Sequence, residues 1–136
     1  MVGARNHHWA DRDWAVHRVE RPPLRLAGNI GAGGPYVTDS LATDMVYGFV
    51  NTTLVRGSTV EQISGDAYQN SKFVLNCKAH NIDGSVASHH SDLLQYFGHH
   101  ENLVVFGLEA TQIVETQNFF LDHANSTFNN CAFVSI

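Results

Sequence analysis

Val74-Leu75-Asn76-Cys77-Lys78-Ala79-His80-Asn81-Ile82 decides the reading of this chain, because three other segments copy it. They are Val55–Ile63, Val105–Ile113 and Phe128–Ile136. Each runs apolar, any residue, Gly or Asn, small or apolar, any, apolar, any, any, Ile. The copies start at residues 55, 74, 105 and 128, so the steps are 19, 31 and 23 residues. A repeat near this period, built of short strands and Gly/Asn corners, is the mark of a solenoid.

The spacing within a copy gives the physical reason. Cys77 and Ala79 sit two apart, as do Ser58 and Val60, Leu108 and Ala110, and Cys131 and Phe133. Period two is the signal of a strand with one face turned inward. Gly57, Asn76, Gly107 and Asn130 share one corner, where a sharp bend asks for positive φ. Ile63, Ile82, Ile113 and Ile136 close the copies and suit a stacked interior column. No period-3.6 stripe lies between copies, which argues against helices.

A weaker repeat links the copies: Asp44–Tyr47, Asp66–Gln69, Asp92–Gln95 and Gln117–Phe120. Each coil therefore has at least two strands on different faces. Stacking in register places equivalent residues about 4.8 Å apart. A second interior row is then expected from Val46, Tyr68, Leu94 and Phe119.

Coils of this size, with Asn/Gly corners, apolar columns and an Asn-Cys step, resemble the right-handed parallel β-helix proteins of the pectin-lyase-like superfamily. The runs Asp66–Asn70 and His90–Tyr96 carry the likeness within residues 36–136. The resemblance implies an all-β, right-handed parallel β-helix of about four to five coils. It implies an extracellular or cell-surface setting and a polysaccharide or glycan partner. Residues 1–35 read as a lead-in forming an irregular first coil. There Leu24–Ile30 alternates like a strand and Gly31–Pro35 breaks it. The glycines of Gly28–Gly33 lack the Lys-Ser/Thr ending of a nucleotide loop.

The 136 residues make one small domain. A net charge of −5 argues against nucleic acid, whose binding needs basic patches. No apolar stretch approaches the length of a membrane span, and no signal peptide is visible at Met1–His8. Cys77 and Cys131 fall in one expected column with Leu108 between them. That separation of roughly 10 Å exceeds the reach of a disulfide, so two free buried thiols are expected. No Cys-x-x-Cys pair exists to suggest zinc. Ile136 closes a repeat as an apolar edge, to be covered by further coils or by a second copy of the chain.

Three sets of residues carry candidate chemistry. Asp44, Asp66 and Asp92 form an expected carboxylate column, and like charges at strand spacing raise a pKa. Asp66 and Asp92 are candidates for general acid/base work, with His90 as an alternative base. The resemblance adds calcium as a possible cofactor for such carboxylates. The plain alternative is that these Asp residues accept backbone N–H bonds at inward corners. His80, His89, His90, His99 and His100 form the second set, beside an insertion at 84–88. The third is an outward row, Thr59, Lys78 and Glu109 beside Glu61, His80 and Thr111. Lys78, His80 and Glu109 are the candidates for substrate binding, with Lys78 or Arg56 facing a uronate. The paired Asp, Gly-His-Gly and Arg-x-Lys motifs of polygalacturonases are missing, as is the Arg-bearing signature of pectate lyases. Glycoside hydrolase, polysaccharide lyase and non-catalytic glycan-binding or structural solenoid thus stand as the functional readings.

Overall fold

A computed structural model describes residues 24–27, 35–85, 90–114, 116–122 and 126–136. Among them every regular element is a strand. The lead-in outside 24–27, with its glycine run, lies outside the described residues, as does His89 with most of the insertion at 84–88.

The strands assemble into three main parallel sheets. The first holds β1 (Leu24–Ala27), β3 (Ser40–Met45), β6 (Thr59–Ile63), β9 (Lys78–Asp83) and β13 (Glu109–Val114). The second holds β4 (Phe49–Val50), β7 (Tyr68–Gln69), β10 (Ser91–Tyr96) and β14 (Thr116–Leu121). The third holds β2 (Tyr36–Thr38), β5 (Leu54–Arg56), β8 (Phe73–Leu75), β12 (Val104–Phe106) and β16 (Ala132–Val134). From β2 onward the chain visits third, first and second sheet in rotation. In two successive circuits it adds a strand of a small fourth sheet, β11 (His99–Glu101) paired with β15 (Thr127–Asn129).

Corners explain why the chain turns where it does. Among the described residues, eleven other than glycine have positive φ. Asn51, Asn70, Asn102 and Asn130 lead into the third sheet. Asp39, Asn76 and Ser135 share the next corner with Gly57 and Gly107. Asp44, Gln62, Asn81 and Gln112 end the strands of the first sheet. All but Ser135 are followed by a residue of an inward column, among them Ser71, Cys77 and Ile82, these three at most 1% exposed. A left-handed residue swings the chain and puts the next side chain inside. Side-chain amides ladder along the corner, Asn70 Nδ2 donating to Asn51 Oδ1 at 3.3 Å.

Register corrects several expectations. Val105 pairs with Phe133, not Phe128, so the fourth copy starts five residues later than the sequence predicts. Asn130 accordingly lies beside Asn102, and Cys131 leaves the column of Cys77. Both thiols are free as expected, but only Cys77 is fully buried. The Ile column is Met45, Ile63, Ile82 and Ile113. Ile136 follows Ser135 one corner away and is 47% exposed. The second interior row starts with Phe49, which pairs with Tyr68, in place of Val46.

The interior fills with these columns. Val55, Val74 and Val105 are wholly buried on the third sheet, and Ala42, Val60 and Ala79 on the first. Phe49, Tyr68 and Leu94 fill the second. Tyr68 spans the interior and donates its hydroxyl to the Lys78 carbonyl at 2.7 Å, which satisfies the polar end of a buried ring. The third sheet is apolar on its outer face too. Leu54, Phe73 and Val104 line up there, as do Leu75, Phe106 and Val134, with Phe106 46% exposed.

Candidate functional site

The structure brings together Asp66, Asp92 and His90, three residues the sequence singles out. Asp66 precedes β7 and Asp92 lies in β10, two positions ahead of the paired residues Tyr68 and Leu94. That register stacks the two carboxyls. Asp44 does not join them. Thr43 pairs with Glu61 and Met45 with Ile63, so Asp44 sits beside Gln62 at the corner of the first sheet. The reason is its positive φ, which makes it a corner residue and not a strand opening.

Asp66 and Asp92 are 1% and 0% exposed. Asp66 Oδ1 accepts the Asp92 backbone N–H at 3.0 Å, and Oδ2 accepts Gln69 Nε2 at 3.0 Å. Gln69 Nε2 also donates to Gln95 Oε1 at 2.7 Å, and Gln95 Nε2 to Asp92 Oδ2 at 2.9 Å. His90 Nδ1 lies 3.5 Å from Asp92 Oδ2, with its imidazole edge-on to Phe120. Asp92 Oδ1 has no hydrogen-bond partner among the described residues.

Burial and the nearby Asp92 carboxylate push Asp66 up to about 6, against the hydrogen bonds and His90, which lower it. Burial also raises Asp92, partly offset by His90 and Gln95. A carboxyl near 6 has the proton affinity of a general acid, but a general acid must reach the atom it protonates. Both are enclosed. Asp66 serves a backbone N–H and an amide and so ties β7 to β10, while Asp92, among the described residues, accepts from Gln95 alone through Oδ2. Gln69 and Gln95, which complete the ladder, carry no signal in the sequence beyond their shared register.

Among the described residues the other histidines do not gather around this pair. His80 lies on the first sheet, and His99 and His100 on β11. His99 Nε2 lies 3.2 Å from Glu101 Oε1, and His100 stacks on Phe128 with ring centroids 5.4 Å apart. Among the described residues no group of three or more His, Cys, Asp or Glu side chains is placed to hold a metal ion.

The outward row does assemble. Thr59, Lys78 and Glu109 align across β6, β9 and β13, as do Glu61, His80 and Thr111. With Ala79 they line an open groove of about 270 Å³ on the outer face of the first sheet. Lys78 Nζ and Glu109 Oε2 are 3.1 Å apart, each side chain 62% exposed. His80 Nδ1 and Thr111 Oγ1 are 2.8 Å apart. Arg56 does not contribute: it lies in β5 on the third sheet, level with Leu75. A second hollow of about 370 Å³ is lined by Met45, Gln62, Ile63, Ser64, Asn81 and Asp83. Those polar residues are not among the sequence candidates, because the repeat pattern leaves their positions free.

No family model matches the chain, and neither a curated protein nor a solved structure matches it.

Proposed function

We propose that the chain is a right-handed parallel β-helix of the pectin-lyase-like kind that holds a glycan on the outer face of its first sheet without cleaving it. The rotation of the chain through three parallel sheets supports the solenoid part of this reading. The groove on register-matched rows carries the functional part. Its polar positions recur at about the strand spacing of 4.8 Å, and each row changes from one strand to the next, so successive sugar units meet different partners. Lys78 supplies a cation for a uronate or other acidic sugar. Thr59, Thr111 and His80 supply groups for hydroxyls. The Lys78–Glu109 pair is solvent-exposed and contributes little to stability, which leaves Lys78 able to exchange Glu109 for a ligand carboxylate. An extracellular or cell-surface setting goes with this reading.

Cleavage by hydrolysis or elimination is the second reading, favoured only by the raised proton affinity of Asp66. It requires Asp66 or Asp92, with or without calcium, at a sugar, and both carboxyls are enclosed.

A panel of acidic and neutral polysaccharides, with and without calcium, separates the two. Calorimetry reads binding, and new reducing ends or unsaturated-uronate absorbance read cleavage. Binding without products is expected, weakened about tenfold for acidic chains in Lys78→Ala, the equivalent of about 1.4 kcal/mol. Products that disappear in a folded Asp92→Asn variant would establish the enzyme instead. No binding to any chain would remove the glycan reading.

A further inference from the structure

We infer that the hollow at the corner of the first sheet is a distinct subsite for a single neutral sugar unit, an inference that rests on the glycan reading of the adjoining groove. Three register-matched pairs build it: Met45 beside Ile63, Gln62 beside Asn81, and Ser64 beside Asp83. Each pair faces a sugar ring differently. Half-buried Met45 gives the hollow an apolar wall, and Ile63, 3% exposed, backs it from the interior. The Asn81 amide offers a donor and an acceptor, and Gln62 offers its N–H donors while its Oε1 lies 3.4 Å from the Thr43 hydroxyl. Asp83 adds a carboxylate that accepts from hydroxyls and repels an acidic sugar. Its Oδ1 is fixed by the Ser85 N–H at 3.0 Å and Ser85 Oγ at 2.5 Å.

Backbone geometry aims the amides. Gln62 and Asn81 have φ of 53° and 54°, at the corner column where the strands end. Both are exposed. A long side chain such as Gln gains nothing at a left-handed corner that glycine fills without steric cost. The volume of about 370 Å³ lies at the small end of ligand sites. Gln62 follows Glu61 of the groove and Asn81 follows His80, so one glycan can lie across the sheet and seat a unit in the corner. Lys78 then gives the groove a cation beside the carboxylates of Glu61 and Glu109, while the corner holds the Asp83 carboxylate and no cation among its lining residues.

The test titrates the intact chain with neutral methyl pyranosides and with a methyl uronoside, reading binding by calorimetry and its position by backbone amide resonances. Neutral glycosides should shift Gln62 and Asn81 and leave Lys78 unmoved, with the uronoside at least tenfold weaker. Gln62→Gly and Asn81→Gly keep the required φ, so both should fold, and together they should abolish the response. Lys78→Ala should leave monosaccharide binding intact while weakening acidic polymer. A uronoside preference, unmoved amides, or unchanged binding in the glycine variants would overturn the subsite. If polymer still depends on Lys78 in that case, the groove reading survives its loss. If the monosaccharide binds but polymer ignores Lys78, the groove fails and the corner stands as an independent sugar site.

Discussion

Asp66 shows how a residue's register assigns its work. Its folded proton affinity, about 6, stands above the ordinary 3.8. The folded state therefore binds the proton more tightly than the unfolded chain. Its contribution to stability is fully present below about 4 and is lost as pH rises to about 6, on the order of 3 kcal/mol. Urea midpoints from pH 4 to 7 should fall for the wild type, and the fall should shrink in Asp66→Asn. Glycines give a second contrast. A Cβ on Gly48 would lie 2.2 Å from the Ala67 carbonyl oxygen, which is backbone and cannot rotate away. On Gly107, with φ of 65°, it would lie 2.6 Å from Asn76 Oδ1, a side chain that can turn. Gly48→Ala should cost about 3 kcal/mol and Gly107→Ala about 1–2, read by the same denaturation. From sequence, Lys78, His80 and Glu109 are legible as one face because period two leaves no choice of side. Asp44 is misleading because Asp serves both at left-handed corners and ahead of strands, and only register separates the two.

Strand alternation predicts opposite outcomes at neighbouring positions in β8. Val74 is wholly buried between Val55 and Val105, whereas Leu75 lies on the outer face. Val74→Thr should cost about 2 kcal/mol for an inward hydroxyl without a partner, and Leu75→Thr less than about 1. Equal losses at both would show that the outer apolar face is itself covered in solution. The third sheet also explains the misplaced fourth copy. Asn130-Cys131 repeats Asn76-Cys77 letter for letter, yet belongs to the corner before the strand and not the one after it. All three corners obey one local rule, a left-handed residue followed by an inward one. Local pattern therefore cannot tell them apart, and only hydrogen bonding between strands does.

Among the described residues each strand pairs only with strands of adjacent circuits, so stability grows from the middle outward. β6 and β9 have partners on both sides, while β13 is the edge of its sheet in this structure, and its Ala110 is exposed where the equivalent Ala79 is 1% exposed. Amide exchange should be slowest at Val60 and Ala79 and fastest along Glu109–Val114, a gradient and not a single cooperative step. Uniform protection in exchange followed by mass spectrometry would contradict it. The alternation of strands and corners is legible in the sequence because every circuit repeats it. The true lengths of the last circuits are not, since β11 and β15 lengthen two circuits at one place and preserve pairing while breaking the spacing.

That paired strand bears on how such a chain changes over generations. A three-residue gain at His99–Glu101 alone leaves its hydrogen-bonding edge unmatched, and one at Thr127–Asn129 alone does the same. The first event must be tolerated until the second arrives, or both must arrive in one duplication of a lengthened circuit. Descendants of a chain like this one should therefore vary in length by inheriting whole circuits, with their irregularities copied in adjacent pairs.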